Sequence, residues 1–336
     1  MDPEFAEAFS QSEGFVDVSA AVGASSPGTS LVEIAREKAR DAVQPSVQYF
    51  TERLPPESTY TVEDKQIRVE NSEIRVRCII PTSDDQSATF PVMVWFHGGG
   101  WIVGDLDQDN AFLRGLSVEL QIAVVNVEYR LAPEHPFPTG LNDSYAALKW
   151  TAGMASSLRI SLQKGFVVGG DSAGANIATV CAMLARDDPF FAAHPITGQL
   201  IRQPSVIYPD ACPEKYKSEL RSMEEFKDGP LLTRDILMQC RSLLNPPPDD
   251  PRISPLLFRS HAGAAPAFIT YNGRDPLRDD ARLWAKVLSE ADVEVKTECY
   301  PGVPHGFYYS FPTISLARRV DQDTREGLRW LLAGAH

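Results

Sequence analysis

The chain has 336 residues, 43% of them apolar and 23% charged, with a net charge of −13. That balance suits a soluble globular protein that buries a substantial core without disulfide or metal staples. The excess of Asp and Glu (45) over Lys and Arg (32) works against binding to nucleic acid or to an anionic membrane surface, both of which need clustered bases.

A small neutral or cationic molecule is the partner such a chain suits best. No apolar run approaches the ~20 residues needed to span a bilayer. The opening MDPEFAEAF puts acids where a secretion signal carries bases. The five cysteines are odd in number and include no CxxC pair, so no disulfide framework is expected. A reducing compartment, the cytoplasm, is the expected location.

Residues up to about Gly28 are small, polar and acidic, and no element is predicted there. From Ser30 to Phe50 the spacing of Leu31, Ile34, Ala35, Lys38 and Ala42 predicts a helix that closes near Pro45 or soon after. Pro55-Pro56 then breaks the chain. Gln66–Glu70 and Ile74–Ile80, separated by Asn71 and Ser72, read as an antiparallel hairpin.

Beyond Pro91 short β-rich runs alternate with helix-length segments. The runs are Val92–Phe96, Ile122–Val127, Phe166–Val168, Ser205–Tyr208, Ala267–Tyr271 and Val293–Tyr300. The helical stretches are Asp109–Leu120, Leu141–Met154, Ala175–Arg186, Asp280–Ala291 and Ile314–Leu332. This alternation predicts a parallel sheet with helices on both faces. Asp210 to Pro251 breaks the rhythm, with a helical piece at Leu232–Leu243 and a run of three prolines. It is too long for a tight connection and reads as an excursion over one end of the sheet.

Gly170-Asp171-Ser172-Ala173-Gly174 follows a predicted strand and opens a predicted helix. A Ser on such a turn is held in a strained conformation with its hydroxyl projecting from the sheet edge. The helix N-terminus beside it offers free N–H groups to a developing oxyanion. A second signal, His97-Gly98-Gly99-Gly100-Trp101, directly follows the strand ending at Phe96. Its bare backbone suits an oxyanion hole in which Gly99 and Gly100 donate alongside Ala173. His97 reads as a structural loop residue.

A Ser hydroxyl needs a base to take its proton. Among six histidines, His305 lies on a loop just past the last predicted strand, where the histidine stands in α/β-hydrolases, whose chain order is nucleophile, acid, histidine. Asp275 follows the strand ending at Tyr271 and is the expected acid, with Asp279 as the alternative. Asp279 and Asp280 read as first-turn acids of the next helix, where the helix dipole favours them. Asp171 is expected to brace the nucleophile turn, and Glu134 and Asp143 to anchor backbone or pair with Arg130. Trp101, Phe307 and Leu231 are expected to contact substrate.

With these residues in place, the chain resembles the hormone-sensitive lipase family of α/β-hydrolases, marked by an HGGG loop. The resemblance rests on His97–Trp101 with Gly104, Tyr129–Pro138, Gly170–Gly174, Asp275–Asp279 and His305-Gly306-Phe307, in that order from about Pro91 to the C-terminus. It implies one domain over residues 1–336, with an eight-stranded, mostly parallel sheet flanked by helices. A helical cap is implied at about residues 30–54 and 212–244, with the catalytic core at about 60–211 and 245–336. It also implies a serine esterase acting on short- to medium-chain acyl esters, including those of bulky aromatic alcohols, with no metal or organic cofactor. Two alternatives stay open. The acyl group could pass to another acceptor or close a ring, as in an acyltransferase or cyclase, or the fold could serve as a non-catalytic receptor. The chain is expected to be a monomer, or a homodimer paired through the edge strand Val293–Tyr300.

Overall fold

The β-branched alternation of the N-terminal half produces the expected hairpin. Tyr60–Val69 (β1) and Ser72–Pro81 (β2) pair antiparallel, and Asn71 takes the left-handed conformation (φ 53°) at the turn. The computed structural model describes residues 1–12 and 31–335. Six further strands follow: β3 (Val92–Phe96), β4 (Ala123–Val127), β5 (Phe166–Asp171), β6 (Gly198–Arg202), β7 (Ala267–Asn272) and β8 (Val295–Tyr300). They build one eight-stranded sheet in the order β1-β2-β4-β3-β5-β6-β7-β8. β3 to β8 run parallel, and β2, antiparallel to both β1 and β4, is the one described strand that runs against the rest. Every residue of β3 and β4 is buried, which is why β3 reads as an unbroken apolar run and β4 is interrupted only by Asn126, whose Nδ2 donates to the Leu106 carbonyl at 2.9 Å.

β3 has β4 on one side and β5 on the other, so the strand order reverses there. In a parallel sheet the carboxyl ends of strands flanking such a reversal diverge and leave a crevice. The glycine loop after β3 and the turn after β5 therefore meet at one point.

The helices fall where periodicity places them, at Asn110–Leu120, Thr139–Gly153, Ala173–Asp187, Arg278–Ser289 and Ser315–Leu332. Helix Leu31–Thr51 continues past Pro45 for a further turn and a half, and Phe50 packs edge-on against Phe112 at 5.3 Å. Among the described residues, no helix is long and apolar enough to cross a membrane.

Two expectations are overturned. The strand assigned to Ser205–Tyr208 lies earlier, at Gly198–Arg202, whose Gln and Arg hide its strand character. Pro204 has no N–H to give a ladder, and the amides beyond it turn to side chains: Val206 donates to Asp280 (2.9 Å) and Tyr208 to Ser254 (3.1 Å). The N-terminal stretch is also not featureless. Pro3–Gln11 is a helix capped by the Asp2 carboxylate, which accepts from the Phe5 amide at 2.9 Å. Phe5 is fully buried, edge-on to Phe307 and Phe311, and the Asp2 amide donates to the Gly302 carbonyl at 2.9 Å.

Replacing a buried aromatic by Ala typically costs about 3–5 kcal/mol, more than a nine-residue helix can recover on its own. Phe5→Ala should therefore release this helix while the sheet stays folded. Limited proteolysis should remove the N-terminal segment from the variant at least about tenfold faster than from the parent. Equal rates would show that Phe5 does not hold the helix down.

Candidate active site

Ser172 sits between β5 and helix Ala173–Asp187 with φ 52° and ψ −113°, a backbone region that non-glycine residues avoid. The turn is held by the Ser172 amide, which donates to the Arg202 carbonyl at 2.9 Å, and by close packing around Gly174. A Cβ at Gly174 would lie 2.0 Å from the Phe96 carbonyl oxygen, so only glycine lets the helix start this near β3.

Three loops complete the arrangement. His305 Nε2 accepts from Ser172 Oγ at 2.9 Å, and His305 Nδ1 donates to Asp275 Oδ2 at 2.7 Å. Because a carboxylate can only accept, this pair fixes the tautomer that leaves Nε2 free to take a proton. Asp275 is fully buried, and its Oδ1 accepts from the Leu277 amide at 2.7 Å. The acid and histidine loops are stitched together by Gly273 N to Tyr300 O (2.7 Å) and Arg274 N to Val303 O (3.0 Å). Burial alone would lower the basicity of His305. The negative charge and hydrogen bond of Asp275, with Asp171 behind them, outweigh it and hold the imidazole above its ordinary value.

The glycine loop lies against this assembly. A Cβ at Gly98 would lie 3.6 Å from Ser172 Cβ. Among the described residues, the amides of Gly99 and Gly100 make no backbone hydrogen bond, and with Ala173 at the open helix N-terminus they remain available to an incoming oxygen. His97 is structural, as expected: it is fully buried, kept neutral by burial, and stacked on Tyr129 at 4.3 Å.

The alternative acid, Asp279, faces elsewhere. Its Oδ2 accepts from the amides of Arg221 (2.9 Å) and Ser222 (2.8 Å), and its carboxylate pairs with Arg278. Asp280, pushed up to about 7 by burial, accepts from Val206 N. Both acids lie in the first turn of helix Arg278–Ser289, as expected, but neither caps it; their carboxylates brace other segments. Asp143 pairs with Arg130 as expected, through bonds of 2.8 and 2.7 Å. Glu134 instead pairs with Arg36 of helix Leu31–Thr51 at 2.7 Å, while Arg36 also donates to the Ile102 carbonyl. That contact ties the helix to the glycine loop.

The three expected substrate contacts fare differently. Phe307 is fully buried against Phe5 and Tyr308, so its ring is core packing rather than pocket wall. Leu231 (φ 72°) packs against the same cluster. Trp101 follows the glycine loop and, with Phe137, Ile177 and Leu244, lines a void of about 20 Å³, room for one water.

Asp171 braces the turn as expected, through partners the sequence pattern does not reveal. It accepts from Gln203 Nε2 at 2.7 Å and from the Tyr308 hydroxyl, and it pairs with the buried Arg202 at 3.0 Å. Beside them Asp109, pushed up to about 6 by burial, accepts from Trp95 Nε1 and from the Tyr309 hydroxyl.

A family model described as alpha/beta hydrolase fold matches residues 93–309. The chain belongs to that family, in its carboxylesterase branch. This hydrolase is 35% identical to carboxylesterase NlhH of Mycobacterium tuberculosis over 312 residues, 91% of this chain and 90% of the relative. It is 34% identical to the versiconal hemiacetal acetate esterase of Dothistroma septosporum over 245 residues, 72% of this chain and 74% of the relative. The crystal structure of vibralactone cyclase superposes on it with a TM-score of 0.93 at 40% identity, covering 99% of this chain and 95% of the other.

Helix Arg234–Leu244 of the hydrolase presses Cys240 onto the glycine loop. A Cβ at Gly100 would lie 2.7 Å from Cys240 Sγ and 3.1 Å from its Cβ. Gly100→Ala should therefore displace the loop and lower ester turnover by about 10²-fold, the typical effect of losing one oxyanion donor. Adding Cys240→Ala should restore part of that loss. No recovery in the double variant would place the defect in the backbone of residue 100 itself.

Proposed function

We propose that the chain hydrolyses carboxylic esters of short to medium acyl length, with Ser172 as nucleophile, His305 as general base and Asp275 as the group that orients and stabilises His305. The observation that carries this reading is the continuous line from Ser172 Oγ to His305 Nε2 (2.9 Å) and from His305 Nδ1 to Asp275 (2.7 Å). Ser172 Oγ attacks the ester carbonyl while its proton passes to His305. The amides of Gly99, Gly100 and Ala173 receive the oxyanion. His305 then gives the proton to the leaving alcohol, and water releases the acyl group by the same route. Helices Leu31–Thr51 and Arg234–Leu244, both anchored to the glycine loop, act as the cap that shapes the alcohol and acyl sites.

A second reading follows from the likeness to vibralactone cyclase over nearly the whole chain. The same acyl-enzyme can be captured by a hydroxyl of the substrate itself, which expels Ser172 and closes a lactone. Water exclusion separates the two outcomes, because the chemistry up to the acyl-enzyme is shared.

An assay against p-nitrophenyl esters from acetate to palmitate should show turnover peaking at short chains. Ser172→Ala should lower it by about 10⁵–10⁶-fold, to near background. Undiminished turnover in that variant would overturn the assignment. Supplying an ester that carries its own hydroxyl, and measuring lactone against free acid, distinguishes cyclase from hydrolase.

The pH profile carries a sign. His305 must be neutral to accept a proton, and Asp275 raises its folded value despite burial. Activity should therefore appear as pH rises through a midpoint above the ~6.5 of an unperturbed imidazole. Asp275→Asn removes the raising charge and leaves burial, so the acid limb of kcat/KM should move to lower pH while kcat falls by about 10³–10⁴-fold. An unmoved limb would mean that Asp275 does not face the base.

A further inference from the structure

The residues that surround the proposed reaction come from four neighbouring strands, β5, β6, β7 and β8. Ser172 follows β5, Asp275 follows β7 and His305 follows β8. His305 must therefore reach back across two intervening strands to meet Ser172, so sheet register alone does not fix its position. The strand between nucleophile and acid, β6, is followed directly by Gln203.

Gln203 is 2% exposed and adopts φ 42°, a left-handed conformation that a side chain takes up only when its surroundings compel it. Its own amide donates to Thr270 O at 2.7 Å. The side-chain amide is occupied at both ends. Nε2 donates to Asp171 Oδ1 at 2.7 Å, on the residue before Ser172. Oε1 accepts from the Gly306 amide at 2.9 Å and from Asn272 Nδ2 at 2.7 Å. Asn272 also donates to the Pro304 carbonyl at 2.9 Å. Peptide groups on both sides of His305 are thus tied to the nucleophile turn through one buried amide. Its orientation is determined, since Oε1 faces two donors and Nε2 faces a carboxylate.

We propose that Gln203 is a positioning residue, holding the His305 loop in register with Ser172; this rests on the triad reading given above. A misplacement of about 1 Å between reacting groups is enough to cost about 10²-fold in rate. A side chain that merely filled space would lower stability without touching the proton transfer.

Of the charged and titratable groups around Gln203, Asp171 contacts it directly; Arg202 and Tyr308 bond to Asp171, and His305, next to Gly306, bonds to Asp275. Two variants separate the roles. Gln203→Met keeps the volume and removes every polar bond. Gln203→Glu keeps the acceptor for Gly306 and Asn272 but sets a carboxyl against Asp171. When that carboxyl is protonated it replaces the lost donor, and when ionised it repels Asp171.

The parent, both variants and Ser172→Ala are compared with a p-nitrophenyl ester over about pH 6 to 8.5, with thermal midpoints measured alongside. Gln203→Met should lower kcat by about 10–10²-fold with KM within about twofold. The ratio of the parent's kcat to that of Gln203→Glu should grow from about pH 6 to 8.5, by about tenfold, as the introduced carboxyl ionises. If Ser172→Ala is inactive while Gln203→Met keeps kcat within twofold of the parent, the positioning role is overturned and the triad stands. If Ser172→Ala matches the parent, the triad reading fails and the proposal with it. Should Gln203→Met melt early, a flat parent-to-variant ratio for Gln203→Glu across the pH range overturns the proposal.

Discussion

His305 lies between two oxygens, 2.7 Å from a buried carboxylate on one side and 2.9 Å from a serine hydroxyl on the other. A buried, fully enclosed Asp275 is costly unless a partner neutralises it, and an imidazole in the same setting loses basicity. Each group answers the other's burial. The rest of the molecule brings this pair to the hydroxyl. Parallel strands place their carboxyl ends side by side, and the reversal at β3 opens the crevice in which three loops converge.

Around that line the structure spends polar groups where a hydrophobic core would be simpler. Asp171, Arg202, Asp109 and Gln203 are all buried, and their bonds reach Tyr308, Tyr309, Trp95, Asn272 and Gly306. Such a network specifies one arrangement more sharply than apolar packing does; Arg202 Nε has no hydrogen-bond partner among the described residues, and its guanidinium lies over the Tyr308 ring at 4.4 Å. The N-terminal helix closes the same loop from outside: Phe5 seats against Phe307, two residues beyond His305, and the Asp2 amide donates to Gly302. The histidine loop is held from the core side by an amide and from the surface side by an aromatic.

Much of this was legible in the sequence. The glycine loop and the Gly170–Gly174 turn are short, local patterns whose neighbours must be a strand and a helix, so their geometry follows from their own residues. The chain order of nucleophile, acid and histidine then singled out Asp275 and His305. What escaped notice depends on distant partners. Gln203 follows a strand made of Gly, Gln, Leu, Ile and Arg, and its importance lies in the loops it touches, more than a hundred residues away at Gly306. The run Ser205–Tyr208 looks more like a strand than Gly198–Arg202 does, but Pro204 and the side chains of Asp280 and Ser254 claim its backbone. Phe307 sits two residues beyond His305 in sequence, yet its environment is set by Phe5 at the opposite end of the chain. Glu134 finds Arg36 rather than Arg130 for the same reason, because Asp143 already occupies Arg130.

The central claim is that Ser172 is an activated nucleophile because His305 and Asp275 make it one. The most direct test is the rate of covalent labelling by a fluorophosphonate, with the modified peptide mapped by mass spectrometry at a series of pH values. The account predicts a single adduct on Ser172, with a rate that rises through a midpoint above that of an unperturbed imidazole and collapses in His305→Ala. No adduct, an adduct on another residue, or an unchanged rate in His305→Ala would contradict it.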